Sequence, residues 1–229
     1  MLTIGTVWTG EKFSYEYLTN LFAMVSRAVH CPYNFVCITD HDCSLPRGVE
    51  RVEAESGIWG WWHYMRFYDP NFTPGNARVY LGLDVVLRGD ITPRLVSLAR
   101  GEEYTLSLDF NYLAGNANPE FAGTFADAPA LIPETGIPWL YQAFLAEHQE
   151  RKIGMSPYPM HLWVTYQLKK KGIRPKLWQD IDPMFTTSFK WPKPKLEEPE
   201  ELIINWHGEP MVHECLEMAP WIKKYWNHD

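Results

Sequence analysis

The chain lacks the features that define several common classes of protein. Its four cysteines, in a chain of 229 residues, include no C-x-x-C pair, so neither a zinc ribbon nor a thioredoxin-like redox motif is supported. No uncharged apolar stretch approaches the roughly 20 residues that cross a bilayer. Residues 1–13 show no basic region followed by a long apolar run, as a signal peptide would. These absences favour a soluble, cytoplasmic protein with reduced thiols.

An excess of positive charge is also missing. The formal net charge is −7 and the sequence pI is near 5.6, which excludes a broad nucleic-acid-binding surface. Glycine and proline, with 15 and 18 residues, are near average usage, which excludes collagen-like and low-complexity sequence. With 46% hydrophobic and 21% charged residues, the chain can bury a sizeable core. We expect one domain over residues 1–229.

Aromatic residues are abundant, at 15% with 11 tryptophans, and this favours stacking surfaces or an aromatic-lined cleft. Trp61 and Trp62, in the most aromatic segment, fit either that cleft or the core equally well.

The order of apolar patterns predicts an α/β fold. Leu2 to Trp8 is a buried strand, an apolar stripe predicts a helix after Ser14, and Asn34 to Thr39 is a second strand. This order predicts parallel strands in a βαβ unit. Further strands are predicted at 49–53, 78–83, 104–108 and 202–206, with helices at 138–149, 161–171 and 220–226. Two segments are predicted to be irregular: an active-site loop or insertion at about 111–135, and a proline-rich extended linker at about 190–199.

Polar residues follow several of these predicted strands. Ligands bind outside the carboxyl ends of strands in open α/β sheets, so Asp84, Asp109 and His207 are candidates to meet there. An acid and a histidine could together hold Mn²⁺, or Mg²⁺ with less use of the histidine. An acid after a strand is also common as a helix cap or turn residue, and both interpretations remain open.

Several motifs carry a resemblance to a known superfamily. The run Val79 to Leu87 (VYLGLDVVL), followed by Gly89 to Pro93, resembles the Y-L-D-x-D-V-V element of GT-A glycosyltransferases. Four more segments resemble one bacterial and viral branch of that superfamily, in the same order along the chain: TVWTGEKF at 6–13, GWW at 60–62, SFKW at 188–191, and HGEP at 207–210 with Pro220-Trp221. The resemblance covers most of the chain and implies a GT-A fold, which is a mainly parallel central sheet with helices on both faces.

The resemblance also implies an activity, the metal-assisted transfer of a sugar from a nucleotide-diphosphate sugar to an acceptor hydroxyl. Mn²⁺ or Mg²⁺ would be the cofactor, and the acceptor could be a glycan, a lipid-linked sugar, a protein or a modified nucleic acid. The implied roles can be grouped by ligand. The nucleoside would contact Thr6, Trp8 and Gly10. The rest of the donor would contact Tyr64, Arg66 and Lys190, with Lys190 at a phosphate, and Asp84 and His207 would hold the metal. Asp109, which would help to recognise the sugar, is the candidate catalytic residue.

Two departures from the superfamily pattern bear on catalysis. Gly82 replaces the first acid of the D-x-D motif, and the stretch 158–163 lacks an Asp-Gln pair that relatives often carry before Trp163. A catalytically weak homologue that binds a sugar nucleotide or a glycan is therefore an alternative. A nucleotidyltransferase ranks lower, because the loop at 8–12 has one glycine where a phosphate-binding loop would have several.

Overall fold

The structure, a computed structural model, describes residues 1–109, 123–151 and 159–226. The N-terminal half begins with the predicted βαβ unit and continues through short strands and a 3₁₀ segment. Its elements are β1 (Leu2–Trp8), α1 (Tyr15–Ala28), β2 (Tyr33–Thr39), β3 (Val49–Glu53), the 3₁₀ segment Gly60–Tyr68, β4 (Ala77–Tyr80), β5 (Val85–Leu87), α2 (Thr92–Ala99) and β6 (Thr105–Leu108).

The C-terminal half supplies one long strand, two long helices and a series of short elements. They are β7 (Phe125–Ile132), α3 (Pro138–Arg151), α4 (Met160–Lys170), β8 (Lys176–Leu177), α5 (Trp178–Ile181), β9 (Thr186–Ser188), β10 (Ile203–Asn205), 3₁₀ turns at Val212–Cys215 and Pro220–Ile222, and α6 (Lys223–Trp226). Within the described residues, no helix is both long and apolar enough to span a bilayer.

Seven strands form the central sheet in the order β3-β2-β1-β4-β7-β6-β8, so β3 and β8 are its edges. Strand β1 pairs in parallel with β2 and β4, and β6 pairs in parallel with β8. Strand β7 runs antiparallel between β4 and β6. The carboxyl ends of β1, β4 and β6 therefore lie at the same edge as the first residues of β7. The mainly parallel α/β sheet predicted from the sequence is confirmed.

A second, three-stranded sheet has the order β5-β10-β9. Strand β10 is antiparallel to β5 and parallel to β9. Because β5 follows β4 closely in the chain, this small sheet brings the C-terminal third of the protein to the carboxyl edge of the large sheet.

The core has two clusters on opposite faces of the central sheet. Alternate residues of β2 show this division, since Phe35 and Cys37 join the cluster with α1, whereas Val36 and Ile38 join the cluster with the 3₁₀ segment, α3 and α4. Strands buried on both faces account for the nearly continuous apolar runs in the sequence.

A buried arginine connects the aromatic 3₁₀ segment to the sheet. The side chain of Arg78 in β4 is fully buried, and every acceptor of its guanidinium among the described residues is an uncharged oxygen. Its backbone acceptors are the carbonyl oxygens of Phe67 (3.4 Å), Pro70 (3.2 Å), Phe72 (2.5 Å), Pro133 (3.3 Å) and Glu134 (3.3 Å). Burial lowers the pKa of Arg78 from its ordinary value. The five carbonyls come from the 3₁₀ segment, the turn that follows it and the loop after β7, and Arg78 fixes all three relative to β4.

One sequence prediction needs correction. The stretch 111–135 was expected to be irregular, but residues 125–132 form β7 in the middle of the sheet. Pro129 and Pro133 made this strand look like a loop, and Pro129 is accommodated through a cis peptide bond. Residues 111–122 lie outside the described residues. The proline-rich stretch 190–199 contains no helix or strand, as predicted.

Candidate active site

A cleft of about 790 Å³ opens at the carboxyl edge of the central sheet. It is lined by the loop after β1, the ends of β4 and β6, the start of β7 and the residues that follow β10. This is the position at which open α/β sheets bind ligands. Asp84, Asp109 and His207, predicted from the sequence to meet here, all line this cleft.

The loop after β1 forms one wall. Gly10 adopts a positive φ of 65°, and its N–H donates to both carboxylate oxygens of Asp40 at 3.2 and 3.3 Å. Trp8 is 4% exposed, and its Nε1 donates to the carbonyl of Phe13 at 2.8 Å. The Trp8 ring stacks on His41 with centroids 4.0 Å apart, beside the cleft. Thr6 is fully buried within β1.

Gly10 and Asp84 line the cleft, but most of the predicted donor-binding residues do not: Thr6, Trp8, Tyr64, Arg66 and Lys190. Tyr64 is fully buried, and its hydroxyl accepts from Tyr68 at 2.8 Å. Burial holds the pKa of Tyr64 well above its ordinary value. Arg66 forms an ion pair with Glu55 and lies 5.6 Å from the Phe72 ring. In this structure both residues hold the aromatic segment together and do not reach the cleft.

The aromatic segment contributes to the cleft through other residues. Trp59 and Trp61 lie at its rim, with ring centroids 4.2 Å apart and nearly perpendicular planes. Trp62 is fully buried and stacks on Phe144. Of the two roles considered for these tryptophans from the sequence, Trp61 therefore lines the cleft and Trp62 belongs to the core.

Asp84 lies on the cleft floor, just before β5. Its backbone carbonyl accepts the N–H of Trp206 at 2.9 Å, which joins the end of β4 to the end of β10. Burial raises the pKa of the Asp84 carboxyl to about 6, although the positive charges of Lys12 and Lys190 act in the opposite direction. A Cβ atom at Gly82 would lie 2.9 Å from Oδ1 of Asp84, so the carboxylate occupies space that any side chain at position 82 would need.

His207 and Lys190 are held together by a serine. Ser188 Oγ accepts the N–H groups of Lys190 and Trp191, both at 3.1 Å, and lies 2.7 Å from Nε2 of His207. Since its lone pairs are occupied, the Ser188 hydroxyl donates its hydrogen to Nε2. Lys190 Nζ donates to the carbonyls of His207 at 2.5 Å and Gly208 at 2.6 Å. Burial, with the charge of Lys190, lowers the pKa of His207, which favours the neutral ring.

Asp84 and His207, as they are placed in this structure, fit a divalent cation poorly. Among the described residues, no group of three or more His, Cys, Asp or Glu side chains could hold a metal ion. The Nε2 lone pair of His207 is occupied by Ser188, and the charge of Asp84 is offset by Lys12 and Lys190. The predicted Mn²⁺ or Mg²⁺ stays a prediction.

A second charged cluster lines the cleft where β6 and β7 meet α4. Asp109 is 8% exposed, and its Oδ2 lies 3.3 Å from Nε2 of His161. The same oxygen accepts from the hydroxyl of Thr124 at 3.2 Å. Asp127, on β7, also lines the cleft. Burial raises the pKa of Asp127, and the charge of Asp109 raises it further.

The protonation of His161 results from opposing effects. Burial by itself lowers the pKa of the imidazole, but the hydrogen bond to Asp109 and the charges of Asp127 and Asp109 outweigh it. The pKa of His161 is therefore raised above its ordinary value. His161 and His207 thus have pKa values shifted in opposite directions within one cleft, as acid and base groups often do in active sites.

Among the residues of the cleft that sequence reasoning did not single out, Lys12, Asp127 and His161 matter most for the chemistry proposed below. Lys12 follows β1 directly, so the rule about carboxyl ends could have identified it. Asp127 required recognition of β7 as a strand and of its antiparallel direction. His161 lies in the first turn of α4 and is brought to Asp109 by tertiary packing.

The fold is similar to those of solved glycosyltransferase structures. An active-site mutant of LgtC superposes with a TM-score of 0.63 and 11% identity, over 100% of this chain and 98% of that one. The galactosyltransferase LgtC in complex with donor and acceptor sugar analogs gives a TM-score of 0.60 at 11% identity, with the same coverage. The apo-form glycosyltransferase GlyE of Streptococcus pneumoniae TIGR4 gives 0.59 at 14% identity, over 92% of this chain and 55% of GlyE.

The chain has the GT-A glycosyltransferase fold. The GT-A fold implied by the sequence resemblance is confirmed. By sequence, no protein-family profile and no curated protein matches the chain. At these sequence identities the similarity establishes the GT-A architecture alone, and any activity depends on the residues of the cleft.

Proposed function

We propose that this protein transfers a sugar from a nucleoside-diphosphate sugar to an acceptor hydroxyl. The observation that carries the proposal is the distribution of charge in the GT-A cleft. Lys12 and Lys190, from distant parts of the chain, both act on Asp84. The pair Asp109 and His161, with Asp127 close by, occupies the part of the cleft formed by β6, β7 and α4.

The lysine side of the cleft suits a diphosphate. An ammonium group that reaches a phosphate oxygen forms a charge-assisted hydrogen bond and stabilises the leaving group as its bond to the sugar breaks. Burial lowers the pKa of Lys190, and its ammonium group is at present bonded to backbone carbonyls. A phosphate would replace these neutral acceptors with a charged one.

The loop after β1 suits the nucleoside of the same donor. Gly10 and Asp40 form the wall beside Lys12, so a base and ribose placed there would lead the diphosphate toward both lysines. The sugar would then lie toward Asp109 and Asp127, whose carboxylates can accept hydrogen bonds from sugar hydroxyls.

A screen of nucleotide sugars tests the proposal. The melting temperature is measured with UDP-, GDP- and dTDP-hexoses, with and without Mn²⁺, and release of the nucleoside diphosphate is then measured for each donor that binds. A ligand at 100 times its Kd stabilises a protein by about 2.7 kcal/mol, which corresponds to roughly 5–10 °C for a domain of this size. We expect such a shift for at least one donor, together with release that Asp84→Asn reduces and the exposed control Asp42→Asn does not.

The alternative is a protein that binds a sugar nucleotide without turning it over. Gly82 and the poor fit to a metal ion favour it, because many transfers of this kind rely on a cation to stabilise the leaving diphosphate. The same screen separates the two. A binder gives the melting shift but no release above the uncatalysed rate, and the absence of any shift with every nucleotide sugar contradicts both functions.

A further inference from the structure

The pair formed by His161 and Asp109 has the geometry of an oriented imidazole. His161 Nε2 lies 3.3 Å from Oδ2 of Asp109, and Thr124 donates to the same oxygen at 3.2 Å. Thr124 is 3% exposed and Asp109 is 8% exposed, so the carboxylate is fixed by buried neighbours. The His161 side chain is 27% exposed and lines the cleft. A buried acid thus holds a histidine that remains open to a ligand.

This contact also sets the tautomer of the neutral ring. When the N–H of Nε2 donates to Asp109, the lone pair lies on Nδ1, which can accept a proton. An imidazole fixed in this way by a carboxylate is the arrangement that activates hydroxyl groups in several enzyme classes.

We propose that His161 accepts the proton of the acceptor hydroxyl during sugar transfer and that Asp109 positions the ring for this step. The inference rests on the proposed function. The acceptor oxygen forms a bond to the anomeric carbon while the bond from that carbon to the diphosphate oxygen breaks. The acceptor proton moves to Nδ1 of His161, and the electron pair leaves with the diphosphate. Such a single displacement inverts the anomeric configuration.

Negative charge around His161 makes its imidazole a stronger base. The charged groups that face it are Asp109 at the end of β6 and Asp127 on β7, while Lys12 acts on Asp127 from the loop after β1. Both carboxylates stabilise the imidazolium that forms when the proton arrives. His161 is protonated at low pH and cannot act as a base there, so turnover should rise with pH through its raised pKa.

The first experiment measures release of the nucleoside diphosphate between pH 5 and 9, with water or a sugar alcohol as acceptor, for a donor that shifts the melting temperature. We expect His161→Gln to lower kcat by roughly 10²- to 10⁴-fold and to remove the rise of kcat with pH. The Kd of the nucleoside diphosphate, measured by calorimetry, should change less than twofold. The exposed histidine variant His30→Gln is the matched control and should behave as the wild type.

The second experiment measures the pKa of His161 directly from the pH dependence of its ring C–H resonance. Asp109→Asn should lower this pKa and move the rise of kcat to lower pH, since the neighbouring charge is gone. A change in KM without a change in the pH profile would show that Asp109 only contacts a substrate.

Three results would overturn the proposal while leaving the proposed function intact. One is transfer by His161→Gln within threefold of the wild type. The second is loss of the pH dependence in Asp127→Asn but not in His161→Gln, which would make Asp127 the base. The third is retention of the anomeric configuration in the product. A wild-type protein that binds donors and releases no diphosphate overturns both the transferase and this role of His161.

Discussion

At the scale of single residues, the ionisation of Asp84 links stability to pH. Its pKa in the folded protein is about 6, above the ordinary value of 3.8, so the ionised carboxylate destabilises the fold. This destabilisation is absent below pH 3.8, grows as the pH rises from 3.8 to 6, and is complete above pH 6. The buried acid also interacts with the charges of Lys12 and Lys190, which we propose bind the diphosphate. Keeping this carboxylate in the site therefore costs stability.

We therefore predict that Asp84→Asn raises the free energy of unfolding by about 1–3 kcal/mol at pH 8 and leaves it unchanged at pH 4. Urea unfolding at both pH values provides the measurement. Asp42→Asn, at an exposed position, should have no effect at either pH. An equal gain at pH 4 and pH 8 would mean that ionisation of Asp84 is not the cause.

A second prediction at the residue scale concerns Gly82. A carboxylate at position 82 would crowd Oδ1 of Asp84, and two neighbouring carboxylates repel each other. We expect Gly82→Asp to lower the melting temperature at pH 8 and Mn²⁺ to restore it, because a divalent cation bridges the two acids. Gly82→Asn has the same size without the charge and should not respond to Mn²⁺. Similar responses of the two variants would show that position 82 does not face a cation site.

At the scale of elements, Arg78 holds the 3₁₀ segment and two loops to β4 through backbone carbonyls. We predict that Arg78→Met lowers the free energy of unfolding by about 3 kcal/mol or more, because it leaves buried carbonyl oxygens without donors. Arg78→Lys should also destabilise, since one ammonium group cannot span five acceptors. Urea unfolding is the measurement, with the exposed Arg47→Met as control. A change below 1 kcal/mol for Arg78→Met would contradict the assigned role.

The elements also show how far the sequence determines the fold. Strands β1 and β2 and helix α1 follow from apolar runs and a 3.6-residue stripe, and both signals depend on local sequence. Strand β7 was not predicted, because Pro129 and Asp127 interrupt its apolar pattern and its pairing partners lie far away in the chain. Tertiary pairing, which a single sequence does not display, decides such segments.

Some residues of the candidate site could likewise be predicted from local sequence, and others could not. Asp84, Asp109 and His207 were predicted to meet because the ends of strands are visible in the sequence. The contact between His161 and Asp109 depends on how α4 packs against β7, and no local pattern in the sequence predicts it. The ion pair of Arg66 with Glu55 likewise depends on packing, and it accounts for the position of Arg66 outside the cleft.

At the scale of the whole molecule, the two lysines that act on Asp84 come from distant parts of the chain: Lys12 lines the cleft, and Lys190 binds the carbonyls of His207 and Gly208 in its lining. We predict that Lys12→Ala and Lys190→Ala each weaken binding of a nucleoside diphosphate by roughly 10- to 100-fold, the value of a charge-assisted hydrogen bond. Binding of the bare nucleoside should change less than twofold, because it lacks the phosphate charge. Calorimetry with both ligands is the measurement.

The exposed Lys193→Ala, three residues from Lys190, is the matched control for this experiment and should bind both ligands as the wild type does. Equal loss of nucleoside and diphosphate affinity in Lys190→Ala would indicate damage to the Ser188 and His207 network in place of a lost phosphate contact.

The strand order also determines which sheet edges are available for self-association. A sheet edge with free N–H and carbonyl groups is a template on which a second chain can add a strand. Here one edge, β3, has the sequence VERVE, in which Glu50, Arg51 and Glu53 place charge along an otherwise apolar strand. The other edge, β8, is two residues long and passes directly into α5. Neither edge offers a long, flat, uncharged surface, so the sheet is protected against the growth of fibrils from its margins.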